Sequence, residues 1–223
     1  MNLYHHYKNK PYRYRGIVKH SETLEDLVLY ETLYENALGK LWVRPKAMFF
    51  EDVDVGGVLR PRFRKADIKI SRVEGLNDRA VSDLSGLIKT VFGEWDPVWF
   101  ASNVRNHTTL LLTTAEFEGR LIGFKLGWEE DQWSFRSWLG GVSPEYRGLG
   151  VAGELMRAQH EWCREKGYRK ITTKTRNRFR EMLVLNLKNG FEVTGTHASS
   201  DDGGLMIVLE KDLRGVADSR KPG

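Results

Sequence analysis

Between Gly140 and Gly167 the chain reads GGVSPEYRGLGVAGELMRAQHEWCREKG, and its chemistry is concentrated near the middle of that stretch. A strand pattern ends in Gly140-Gly141-Val142, Pro144 follows, and a helix pattern begins near Val151. The first four backbone N–H groups of a helix lack internal partners, and the macrodipole leaves partial positive charge beside them. Glycines at 148, 150 and 153 permit a tight turn and a close approach to the backbone. Arg147 adds a fixed cation at the same mouth. The N–H groups of Arg147, Gly148, Leu149, Gly150, Val151, Ala152 and Gly153 therefore form a candidate cradle for a diphosphate. The same spacing would also serve a turn whose glycines only allow close packing.

Other residues offer weaker chemistry. His5, His6, His20 and Glu22 can be written as a metal cluster, but their spacing follows no usual ligand pattern, and no metal site is expected. Cys163 falls on the apolar face of the helix and reads as a buried thiol rather than a nucleophile. Tyr4, Tyr7, Tyr12 and Tyr14 alternate with basic residues, which suits stacking on nucleic acid. Tyrosines filling a small β core explain the pattern more simply, so nucleic acid is not the expected partner.

The elements that must hold the cradle follow from periodicity. Val151, Ala152, Leu155, Met156, Trp162 and Cys163 lie on one helical face, and Gly167 supplies a stop. Upstream, residues 67–75 read as a strand, and Arg79–Phe92 as a helix with Val81, Leu84, Leu87, Ile88 and Val91 on one face. Asp96-Pro97 marks a helix start. Glu118-Gly119-Arg120 joins two strands, and Phe135–Val142 is the strand that feeds the cradle. Downstream come a strand over Lys170–Thr175, a helix over Phe179–Asn189 and strands over Phe191–Gly195 and Leu205–Glu210.

Residues 1–65 read differently. VLYETLY and LWVRP pattern as strands, and Gly56-Gly57 as a turn, giving a small β-rich domain. This segment holds twelve Lys/Arg against eight Asp/Glu, a balance of +4 in a chain of net +5. The excess suits an anionic partner or simple solubility. The predicted organisation is 1–65, 66–213 and a mobile tail over 214–223. The 223 residues suit one or two small domains. No apolar run approaches the roughly 18 residues needed to span a bilayer, so no membrane partner is expected. The N-terminus lacks the apolar core of an export signal, and one cysteine permits no internal disulfide; both fit a cytoplasmic protein. A monomer or homodimer is expected.

The order of elements and two motifs resemble the GNAT superfamily of N-acetyltransferases. The superfamily signature Q/R-x-x-G-x-G/A is met by Arg147, Gly150 and Ala152, and a later Lys-x-Gly-Phe turn by Lys188, Gly190 and Phe191. The similarity runs from about Lys69 to Leu213. YHHYKNKPYRY, HSETLEDLVLYETLY and LWVRPKAMF likewise resemble a bacterial domain of unknown function. What the first resemblance implies is an α/β (α+β) fold with a mixed, splayed sheet flanked by helices. Acetyl-CoA would be the co-substrate, its pyrophosphate on residues 147–153 and its pantetheine arm paired with the backbone of Gly140, Gly141 and Val142. Asn177 is a further candidate contact to coenzyme A. The acceptor would be an amine on a small molecule or peptide, attacking the thioester directly, with a backbone N–H near Val142 stabilising the oxyanion.

Two departures qualify the implied chemistry, and the smaller is Phe179 where members often carry an Asn a turn before the Tyr position. Where many members place a Tyr to protonate the leaving thiolate, this chain has Asn186, either a core amide or an orienting contact. Protonating a thiol of pKa about 8.5 is worth at most roughly 2 kcal/mol at pH 7, whereas deprotonating a lysine-type amine costs roughly 4.6 kcal/mol. A base thus matters more than the acid, and Glu129, in an expected acidic hairpin loop with Glu130 and Asp131, is the candidate. Trp95, Trp99 and Phe100 would line an acceptor wall or pack in the core. The loop His197–Gly204 is another candidate acceptor edge. The alternative function is a catalytically degenerate acyl-CoA-binding or interaction protein.

Overall fold

A computed structural model describes residues 2–199 and 204–214. The predicted tail, apart from Arg214, and residues 200–203 of the loop after His197 lie outside the described residues. The chain forms two compact units, Met1–Lys69 with Pro144–Gly150, and Ile70–Ser143 with Val151 onward.

The first unit is built on strands β1 (Leu3–His6), β2 (Lys10–Lys19), β3 (Asp26–Thr32) and β4 (Leu41–Pro45). After these come helix α1 (Lys46–Phe50), the hairpin β5 (Asp52–Asp54) and β6 (Leu59–Pro61), and strand β7 (Phe63–Lys65). The sheet runs β4-β3-β2-β1-β7, so β2 is central. Its core is made of rings. Tyr30, Phe49 and Phe63 are buried, with Tyr4, Tyr12 and Tyr14 packed against them and Phe49 stacked on Phe63 at 4.0 Å. These three tyrosines of the basic segment therefore serve the core, as their β pattern implied. Gly56 and Gly57, both at positive φ, turn the β5–β6 hairpin, where Asp54 accepts from the Gly57 N–H.

The second unit begins with β8 (Lys69–Glu74), α2 (Asp78–Phe92) and α3 (Pro97–Val104). Asn77 caps α2 by accepting from the Ala80 N–H, and Gly93 closes it at φ 87°. Asp96 caps α3 with Pro97 in its first turn, as the sequence indicated. Strands β9 (Leu110–Phe117), β10 (Arg120–Asp131) and β11 (Ser134–Val142) form an antiparallel meander. Helix α4 (Val151–Glu165), β12 (Lys170–Arg176), α5 (Arg180–Lys188), β13 (Glu192–Ala198) and β14 (Leu205–Asp212) complete it. The sheet order is β13-β14-β12-β11-β10-β9-β8.

One junction in this sheet is parallel, β11 with β12, and it opens. Their pairing covers only Ser134–Arg136 against Lys170–Thr172, although β11 continues to Val142 and β12 to Arg176. The fold is thus the mixed, splayed α+β sheet that the resemblance implied. A bulge at Trp138, between the Gly127–Ser137 and Leu126–Leu139 pairs, bends β11 at the fork. The hydroxyl of Thr173 donates to the Ser137 carbonyl at 2.9 Å, satisfying an acceptor where the ladder with β12 ends.

Close packing explains several glycines around the fork. A Cβ on Gly141 would lie 2.6 Å from Val91 of α2, and one on Gly123 would lie 3.1 Å from Leu155 of α4. Both layers therefore press on the meander at glycines. On α4, Leu155, Met156, Trp162 and Cys163 are buried as the helical period required; each large apolar side chain contributes about 1.5–3 kcal/mol.

Candidate functional site

β11 leads directly into the candidate cradle. Ser143 donates its N–H to Ile122 of β10, so strand alternation turns the backbone of Gly140 and Val142 toward the fork instead. Gly140, Gly141 and Val142 thus stand at the open end, joined through Ser143 to the loop Pro144–Gly150. That loop starts with a 3₁₀ turn over Pro144–Tyr146. Tyr146 and Leu149 are buried, anchoring it. Gly148 and Gly150 adopt φ of 71° and 87°, the left-handed region that favours glycine. Val151, Ala152 and Gly153 form the first turn of α4. A Cβ on Gly153 would meet no atom within 4 Å, so packing does not demand glycine there.

On the opposite arm of the fork, β12 ends at Arg176 and Asn177 is exposed in the following turn. Asn186 is the buried residue of α5, 2% exposed, as its inward face predicted. Its backbone carbonyl accepts from the N–H groups of Asn189 and Phe191, tying the helix end to the Gly190-Phe191 turn. Gly190 takes φ 81° there, which explains the glycine of the LKNGF motif.

The acidic trio differs from expectation. Glu129, Glu130 and Asp131 are the last residues of β10, in the ladder rather than in a loop, and all three are engaged. Glu129 accepts from the Tyr168 hydroxyl at 2.6 Å, and burial followed by this bond pushes the Tyr168 pKa up. Glu130 accepts from Thr172 at 2.7 Å and pairs with Arg136 at 3.4 Å. Asp131 accepts from the Ser134 hydroxyl and then the Trp133 N–H, which lower its pKa in that order. Glu129 sits opposite Phe135, where β11 and β12 still pair. Gly140 is five residues further along, or about 17 Å of strand. The structure does not bring Glu129 to the open end.

The aromatic cluster around Trp95, Trp99 and Phe100 is larger than the sequence suggested, and most of it packs in the core. Trp99 is 46% exposed and packs on Trp138 at 5.2 Å; Phe100, fully buried, meets Trp95 at 4.9 Å and Trp138 at 5.8 Å. Trp128 meets Trp138 at 5.0 Å and carries His107 stacked at 4.0 Å. Trp138, Trp128 and His107 were missed by sequence reading. The available signal was Trp138 itself, two residues before Gly140 on the strand that feeds the cradle.

The remaining candidates sit in ordinary surroundings. Burial holds the Cys163 thiol well above its usual pKa, as expected of a structural cysteine. His6 is pushed down to about 4 by burial, then by Arg44, Arg62 and Lys8, a cationic setting unsuited to a divalent metal. His20 Nδ1 accepts from the backbone N–H groups of Glu22 and Thr23. Among the described residues, no group of three His, Cys, Asp or Glu side chains could hold a metal ion, and no helix is long and apolar enough to cross a membrane.

Comparison with known proteins places the glycine loop inside a recognised family match. Residues 82–183 match the model of the acetyltransferase (GNAT) family, and residues 2–65 match a family described as a protein of unknown function (DUF1653). The chain thus carries a GNAT acetyltransferase domain preceded by a domain of the second family. No curated protein matches it. Among solved structures it is similar to the ribosomal-protein-S18-alanine N-acetyltransferase from Escherichia coli, with TM-score 0.57 and 14% identity over 70% of this chain and 100% of that one. An IAA acetyltransferase from Bacillus cereus gives TM-score 0.56 and 19% identity, covering 66% and 99%. A GNAT family acetyltransferase from Elizabethkingia anophelis with acetyl-CoA bound gives 0.52 and 17%, covering 64% and 97%. At these identities the likeness is one of fold.

Proposed function

We propose that the protein is an acetyl-CoA-dependent N-acetyltransferase acting on an amine of a small molecule or peptide. One observation carries this reading: the parallel β11–β12 pair opens after Arg136 and Thr172, and the open strand runs straight into the glycine loop. An extended pantetheine arm would add to β11 as a strand does, against the fork-facing backbone of Gly140 and Val142. The diphosphate would lie on the N–H groups of the loop and the first turn of α4.

Transfer would proceed by attack of the acceptor nitrogen on the thioester carbonyl. A C–N bond forms, the C–S bond breaks, and coenzyme A leaves as thiolate while the nitrogen loses a proton to water or the leaving sulfur. The backbone N–H of Val142 or Gly140 would stabilise the oxyanion, and alignment would supply much of the acceleration. The acceptor would approach over Trp99 and Trp138, whose indoles suit an aromatic or cationic substituent beside the amine. Because Glu129 is bound to Tyr168 at the closed end, an acceptor that costs little to deprotonate near pH 7, such as an α-amine of pKa about 7.8, is favoured over a lysine-type amine.

Thiol release from acetyl-CoA, followed with a chromogenic disulfide across a panel of amines, tests this. Acceleration by at least one amine, with its acetylated product identified by mass, is the expected result. Binding of acetyl-CoA with no amine-dependent release across the panel would instead favour the acyl-CoA-binding reading.

A further inference from the structure

We infer that Arg13, on the central strand of the N-terminal sheet, is a positioning residue for the donor's diphosphate loop. The inference rests on the donor reading above. Arg13 and the loop Pro144–Gly150 belong to the same compact unit. The Arg13 guanidinium reaches across 134 residues of sequence, and its Nη2 donates to the Arg147 carbonyl at 2.5 Å. The same group lies against Gly148, where a Cβ would sit 3.5 Å from Nη2 and 3.7 Å from Nη1. Behind it, Glu31 faces Arg13 directly across the β2–β3 ladder and binds Nη1 at 3.2 Å.

The consequence for the loop follows from peptide geometry. A trans peptide points its N–H opposite to its C=O, and none of the described peptide bonds is cis. Holding the Arg147 carbonyl toward Arg13 therefore fixes the Gly148 N–H toward the other side of the loop, where a phosphate oxygen can accept it. Glycine restricts its own backbone least, so a clamp on the peptide between Arg147 and Gly148 removes part of the ordering cost of binding. Glu31 holds the guanidinium in place and offsets its charge. Arg15, on the same strand, also binds Glu31, at 2.6 Å, and serves as an internal control.

Calorimetric titration of coenzyme A into the full chain tests the assignment, using the parent protein, Arg13→Ala, Arg13→Lys and Arg15→Ala. The expected result is about tenfold weaker binding for Arg13→Ala, the scale of one lost hydrogen bond from a charged donor. Arg13→Lys, which keeps a donor, should recover part of the loss, and Arg15→Ala should bind like the parent. In turnover, Arg13→Ala should raise KM for acetyl-CoA and leave kcat close to the parent value. Unchanged or tighter binding by Arg13→Ala overturns the assignment, as does an equal loss in Arg15→Ala. If the parent protein itself fails to bind coenzyme A, the donor reading falls and takes this inference with it.

Discussion

The two faces of the large sheet solve the same packing problem with different materials. On the face covered by α2 and α3, Leu84, Leu87, Ile88 and Phe100 meet Leu110, Leu112, Phe124, Leu126 and Trp128. Thr114, two residues after Leu112 on the same strand face, is a buried polar residue beside them. On the face covered by α4, strand alternation places Thr113 between Leu112 and Thr114, and Lys125 between Phe124 and Leu126. Thr113 and Lys125 are cross-strand partners. Lys125 acts electrostatically on His160 and Cys163 of α4. Gln159 is fully buried with neither amide atom hydrogen-bonded, and Thr113 Oγ1, Ser137 Oγ and His160 Nε2 are buried without partners. Each such group costs about 1–3 kcal/mol. The α4 face therefore buries polar groups beside an apolar cluster of its own, in which Met156, Trp162 and Cys163 of α4 meet Leu111, Phe135 and Ile171.

The largest expected effect lies on the apolar face. Phe100→Ala removes a fully buried ring held between Trp95 and Trp138 and should destabilise the protein by about 3–5 kcal/mol in denaturant unfolding. A loss below 1 kcal/mol would break the contrast.

The polar face should respond in the opposite direction. Burial lowers the Lys125 pKa from 10.5 to about 8, opposed in part by Cys163. The folded chain thus gives up this proton more readily than the unfolded one. Its destabilising effect is fully present below pH 8 and disappears as pH rises through 10.5. Lys125→Met, which retains the Cγ packed near Gly140, should gain on the order of 2–3 kcal/mol at pH 7. That advantage should shrink between pH 8 and 10.5. Unfolding curves for the two proteins across that range check both sign and window.

The same contrast shows what the sequence could disclose. Periodicity located nearly every strand and helix beyond Lys69, because apolar spacing, the Asp96-Pro97 start and the Gly167 stop state them locally. Polar types at buried positions were opaque: nothing in the apolar period marks Gln159 and His160 of α4, although both are buried. Glu129–Asp131 read as a loop because three acids seldom continue a strand; here Tyr168, Thr172, Arg136 and Ser134 hold them in one. Helix α1 escaped notice because it has five residues and no side-chain cap. The tight turn before α4 was legible from Gly148 and Gly150, and both adopt a left-handed φ. Arg13 was not, since no local pattern marks a partner 134 residues away.

The central claim is that the open end of β11 and the loop after it hold acetyl-CoA. Calorimetric titration of acetyl-CoA into the parent protein and Gly150→Glu measures this most directly, with each protein's unliganded melting curve establishing that it is folded. The account predicts saturable one-to-one binding by the parent and its loss in Gly150→Glu, which places a carboxylate and a left-handed strain where the diphosphate would sit. Absence of binding by the folded parent, or equal binding by the folded variant, would contradict it.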